Sequence, residues 1–224
     1  MGLFYAYAKD VCQGSMCCYT IVFASCSVAD EWWRAVSNSS TRYARSIQRI
    51  TPHFYDYNSS IADIARTILE VDVATTFRGK IIFSGVGVET LSIIPLQDYV
   101  EPVSGHWFYI RSKASPRECW FMTPDGQVRA SPHDASRFCI SLKDAASVKG
   151  ETKVMIATDD IGIVSSAFSN PIAKTSEGFL HDGVHGRAGG ILKFGDFNGG
   201  FERRTKGICA VAGTGERWEL LSDL

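Results

Sequence analysis

The feature that most constrains this chain is the close spacing of turn signals after residue 73. Pro124-Asp125-Gly126, Ser131-Pro132-His133-Asp134, Asn170-Pro171 and Asn198-Gly199-Gly200 each mark a reversal. Short apolar segments lie between them. Lys80–Phe83, Leu91–Ile94, His106–Arg111, Cys119–Met122, Gln127–Ala130 and Phe138–Leu142 all read as strands. So do Val154–Ala157, Ile163–Ser165, Ile191–Phe194, Ile208–Val211 and Trp218–Leu221. Many short strands at this spacing predict a β-rich barrel or sandwich, not a parallel sheet.

Residues 27–71 read differently. Ser27 before Val28-Ala29-Asp30-Glu31 has the form of a helix N-cap, and Trp32, Trp33, Ala35 and Val36 follow. Tyr43–Ile47 is a second helical piece that ends before Pro52. Ile61, Ile64, Ala65, Ile68 and Leu69 fall on one helical stripe and predict a third helix. The expected fold class is therefore α+β, with an N-terminal strand and helices over residues 1–72 and a β-rich domain over 73–224. The run at residues 16–25 has the length of a signal h-region. It lacks a basic flank, however, and equally fits a buried strand. A cytoplasmic placement is preferred, with secretion as the alternative, in which case the sequons at Asn38 and Asn58 become relevant.

Composition narrows the function classes. With 23 basic and 24 acidic residues the formal charge is −1, so no global field favours nucleic acid. No apolar run reaches the ~20 residues of a membrane-spanning helix. The seven cysteines are odd in number and lack metal-ligand spacing, which fits reduced, mostly buried thiols. No cofactor motif occurs: Gly85-Val86-Gly87 and Gly213-Thr214-Gly215 are not followed by Lys-Ser/Thr. A chymotrypsin-like protease would need Gly-x-Ser-Gly or Gly-x-Cys-Gly, and Gly207-Ile208-Cys209-Ala210 lacks the last glycine. His181-Asp182-Gly183-Val184-His185 could gather two imidazoles and a carboxylate in a loop, the one arrangement that suggests a metal-dependent enzyme.

Two features suggest an internal repeat near 40 residues. Phe138, Phe179 and Trp218 are almost evenly spaced, and residues 125–131 echo 160–166. The segment His106–Ser112, Cys119–Thr123, Asp125-Gly126-Gln127-Val128 and Arg137-Phe138 resembles one β-trefoil unit of the fascin-like and ricin-B-like kind. The Gln-x-Trp signature of the ricin type is absent. Arg78–Gly87 is similar to the opening strand of sugar-isomerase domains, but Val88-Glu89-Thr90 replaces the phosphate-binding Lys-Ser-Gly.

The trefoil resemblance implies a non-enzymatic binding module with carbohydrate as ligand. The alternatives are a fascin-like protein-interaction module and the metal-dependent enzyme above. The expected ligand-binding residues are Asp125, Asp160, His181, Asp182 and His185 in loops, with Trp120 as an aromatic platform. No bound metal or cofactor is expected of the binding module, and its partner would be a glycan or a protein.

Overall fold

The computed structural model describes residues 2–12, 18–70, 72–86, 99–143, 153–183 and 190–224. The chain forms two compact units, Met1–Tyr99 and Val100–Leu224. The sequence reading had placed the division at 72/73; β5 (Ile81–Val86) pairs with β2 (Cys18–Phe23) inside the first unit.

The first unit is built on a five-stranded sheet, not on helices. Its order is β3 (Ile47–Thr51), β4 (Phe54–Tyr57), β1 (Phe4–Asp10), β2, β5. β1 and β4 run parallel, and the other neighbours are antiparallel. The expected N-terminal helical segment is thereby corrected, and the α+β assignment gives way to a mostly β molecule. β1 forms because Phe4, Ala6, Ala8 and Asp10 alternate inward. The candidate h-region supplies β2, an interior strand of this sheet between β1 and β5.

Among the described residues one full-length helix remains, α1 (Cys26–Ser37). Its cap is Ser25, whose hydroxyl accepts the Val28 amide at 3.3 Å, not the expected Ser27. Ala29, Trp32 and Val36 face the sheet, and the Trp32 indole donates to Thr67 Oγ1 at 3.1 Å. The second expected helix is the single turn α2 (Tyr43–Ser46), after which the β-branched run Ile47–Thr51 becomes a strand.

The third expected helix is a 3-10 turn at Ile64–Ile68. Two local side-chain bonds compete with a regular helix. Asn58 Oδ1 accepts the Ser60 amide, and Asp63 Oδ1 accepts the Ala65 amide. Three residues per turn align Ile64 with Thr67, and both are buried. Ile61 and Leu69, the ends of the predicted stripe, are exposed.

The second unit is a curled antiparallel sheet, a half-barrel. Its strands are β6 (His106–Ser112), β7 (Cys119–Met122), β8 (Val128–Ser131), β9 (Phe138–Leu142) and β10 (Asp160–Ser165). They continue with β11 (Ile172–Lys174), β12 (Leu180–Asp182), β13 (Leu192–Lys193), β14 (Asn198–Arg204), β15 (Gly207–Ala210) and β16 (Glu216–Leu221). The sheet path is β13-β10-β9-β6-β16-β14-β15, so the unit's first strand pairs with its last. The hairpins β7–β8 and β11–β12 stand off this path.

Most expected strands over residues 106–142 fall within a residue or two of these bounds. Val154 makes only a bridge to Val103. β11, β12 and the glycine-led β14 were not anticipated, and Leu91–Ile94 lies outside the described residues.

The core of this half-barrel is aromatic. Trp120 packs its ring against Phe138, Phe197, Phe201 and Trp218, with centroids 5.1 to 5.8 Å away. Phe138 and Trp218 are buried as the proposed repeat requires, but Phe179 is only half-buried and its neighbour Leu180 enters the core. The 40-residue spacing thus compares unlike positions: Phe138 and Trp218 lie on strands of the curled sheet, Phe179 on a hairpin turn. The second echo does likewise, matching a turn and β8 to β10.

Candidate functional site

A different repeat is built into the hairpins. The β7–β8 turn reads Thr123-Pro124-Asp125-Gly126-Gln127, and the β11–β12 turn reads Thr175-Ser176-Glu177-Gly178-Phe179. In the first, the Gln127 amide donates to Thr123 Oγ1 at 2.9 Å and the Gly126 amide to the Thr123 carbonyl at 2.9 Å. In the second, the Phe179 amide donates to Thr175 Oγ1 at 3.1 Å and the Gly178 amide to the Thr175 carbonyl at 2.9 Å. Both turns need a positive φ at their fourth residue, +84° at Gly126 and +86° at Gly178, which glycine supplies without strain.

These hairpins join one another in series. The Asp182 amide donates to the Gly126 carbonyl at 2.8 Å, and Gln127 bridges His181. In the same way the Ala210 amide donates to the Gly178 carbonyl at 2.8 Å, and Phe179 bridges Cys209. The β14–β15 hairpin returns to the first: a Cβ on Gly207 would stand 2.8 Å from the Val128 carbonyl. Three hairpins thus close a ring with three junctions.

The first junction is filled. His181 Nδ1 donates to Asp182 Oδ1 at 2.7 Å, and the Asp182 carboxylate is buried. Both side chains press on Gly126, where a Cβ would lie 2.7 Å from Asp182 Oδ1 and 2.9 Å from His181 Cε1. Asp125 is exposed at the tip of the same turn. The neighbouring Thr123 hydroxyl, its own backbone amide and the charges of Arg129 and His181 hold its carboxyl below the usual carboxylate range.

Asp125, His181 and Asp182 are therefore brought together at this junction. Asp160 is not part of this group. It opens β10 opposite Lys193, and its carbonyl accepts the Lys143 amide at 3.0 Å. Trp120 cannot serve as a platform, because its side chain is fully buried among the core rings. His185 lies outside the described residues. Among the described residues no group of three or more His, Cys, Asp or Glu side chains could hold a metal.

The second junction is less tightly filled: a Cβ on Gly178 would stand 3.2 Å from Cys209 Sγ and 3.3 Å from the Ala210 carbonyl. Cys209 and Ala210 stand where the first junction has His181 and Asp182. Beside this junction lies a shallow, widely open cleft of about 560 Å³, lined in part by Ala210. Lys174 at the end of β11 and the turn residues Thr175 and Ser176 line it, with Gly190 and Ala210–Ala212. The Lys174 stem runs over Gly190, where a Cβ would meet its Cδ at 2.6 Å, and Lys174 Nζ donates to the Ile191 carbonyl at 3.0 Å.

Sequence reasoning missed these cleft residues. The readable signal was the shared Thr-x-(Asp/Glu)-Gly turn, which aligns Gly126 with Gly178. Comparison of the chain with protein-family models, with curated proteins and with solved structures finds no match.

Proposed function

We propose that the second unit is a non-enzymatic binding module of β-trefoil kind, and that it binds carbohydrate in the cleft of the second hairpin junction. The observation that carries this reading is the ring of three hairpins with a cleft beside its less tightly filled junction. The strand pairings support the trefoil relationship: β6 pairs with β9, β9 with β10, β10 with β13, and β16 with both β6 and β14. The chemistry of the lining supports the ligand class. Ser176 and Lys174 offer hydrogen-bonding groups for ring hydroxyls, while Ala210–Ala212 give an apolar wall for the C–H face of a sugar. The ring's backbone bonds hold these groups in place before a ligand arrives, which limits the ordering cost of binding.

The test is calorimetric titration of the full-length chain with a panel of mono- and disaccharides. One sugar class is expected to bind saturably. The double variant C209H/A210D, which copies the first junction into the second, is expected to abolish that binding while its circular dichroism remains native. Absence of binding by every sugar, or unchanged binding by a folded double variant, would overturn the reading.

A further inference from the structure

We propose that the cleft selects acidic sugars, whose carboxylate or sulfate group is seated on Lys174; this rests on the carbohydrate reading above. Among the described residues that line the cleft, Lys174 is the one that ionises. The site therefore carries a positive charge, and among the described residues no carboxylate pairs with it. An ammonium has three protons to donate. One is directed at the Ile191 carbonyl at 3.0 Å, which leaves two for a ligand in the cleft.

The ammonium is also held in place. Its stem passes over Gly190, where a Cβ would meet Cδ at 2.6 Å, and its end donates to the Ile191 carbonyl at 3.0 Å. A lysine held this way has already lost much of the rotamer freedom that a surface lysine gives up on binding. An anionic oxygen accepting from it makes a charge-assisted bond, stronger than any bond a neutral hydroxyl makes at the same place. The exposed Ser176 hydroxyl, on the same wall, can donate to a second oxygen of the same group. The walls of Ala210–Ala212 accommodate the uncharged remainder of the ring.

Matched pairs test this directly: glucose against glucuronic acid, galactose against galacturonic acid, and N-acetylglucosamine against its 6-sulfate. Each is titrated into the full-length protein at low salt, with inorganic sulfate as a separate probe. The acidic member of at least one pair is expected to bind about tenfold more tightly, a preference that shrinks as salt is raised. K174Q is expected to remove the preference by weakening the acidic member of a pair far more than the neutral one, and K174R to retain it. Equal affinity within every pair, or a preference that survives in K174Q, would overturn the inference while leaving the carbohydrate reading intact. Binding of inorganic sulfate with no sugar bound, or no binding at all, would overturn both.

Discussion

Substituting alanine for Gly126 tests whether the first junction is as tightly filled as its geometry indicates. Two costs apply. The residue has φ +84°, and placing an L side chain there costs roughly 1–2 kcal/mol. The new Cβ would also stand 2.7 Å from Asp182 Oδ1 and 2.9 Å from His181 Cε1, too close for either to remain. Displacing that hydrogen-bonded pair beneath a buried carboxylate adds roughly 1–3 kcal/mol.

Two other glycines of the same unit separate these costs. Gly105 has φ +84° with nothing within 4 Å of its Cβ position, so G105A pays the backbone cost alone. Gly178 has φ +86° with Cys209 Sγ at 3.2 Å and the Ala210 carbonyl at 3.3 Å, so G178A adds a few tenths of an ångström of adjustment. In urea unfolding of the full-length chain, with a slope of about 2 kcal/mol per M, G105A lowers the midpoint by roughly 0.5–1 M and G126A by roughly 1–2.5 M. G178A falls between them. A double-mutant cycle adds a second check: D182A costs less in the G126A background than in the wild type. A G126A midpoint no lower than that of G105A, or strict additivity with D182A, would refute the argument that His181 and Asp182 occupy the junction.

Three further outcomes follow from the packing. Trp120→Ala removes the ring at the centre of the aromatic core and should cost roughly 3–5 kcal/mol in chemical denaturation; Trp120→Phe costs far less, since the buried indole N–H has no hydrogen-bond partner among the described residues. Arg49 pairs with Asp30 at 2.9 Å with both side chains buried, so R49M, which removes the cation from a buried carboxylate, should destabilise the first unit by roughly 3–5 kcal/mol in the same assay. Tyr99 donates its phenol to Asp30, and burial together with the Asp30 carboxylate pushes its titration well above the usual tyrosine range. Above an unfolded tyrosine value of about 10, the unfolded chain loses a proton that the folded chain keeps, so this contribution is present below pH 10 and lost as pH rises beyond it. Urea midpoints of wild type should therefore fall toward those of Y99F between pH 9 and 11, and parallel curves would refute the coupling.

The strands of the second unit were legible where alternation and turn chemistry agree. Cys119–Met122 and Phe138–Leu142 have their expected bounds because a buried-face alternation is closed at each end by a turn residue. The first unit was misread for two physical reasons. β1 alternates with alanines, whose small size hides a buried face. The stripe at Ile61–Leu69 has helical spacing, but Asn58 and Asp63 divert the backbone into tighter turns. The candidate site was half legible. The Gly126 turn marked Asp125, and the His181-Asp182 pair was visible as a polar cluster. The cleft was not visible, because it is lined by small residues at Ala210–Ala212 facing a turn about 30 residues away in sequence, and an absence of bulk leaves no motif.

The most direct measurement is an amide-shift map of the full-length protein by NMR, recorded during titration with whichever sugar of the panel binds. The account predicts saturable shifts at Lys174, Ser176 and Ala210–Ala212, with Asp125 and His181 unmoved. Shifts centred on Asp125 and His181, with the second junction silent, would contradict it.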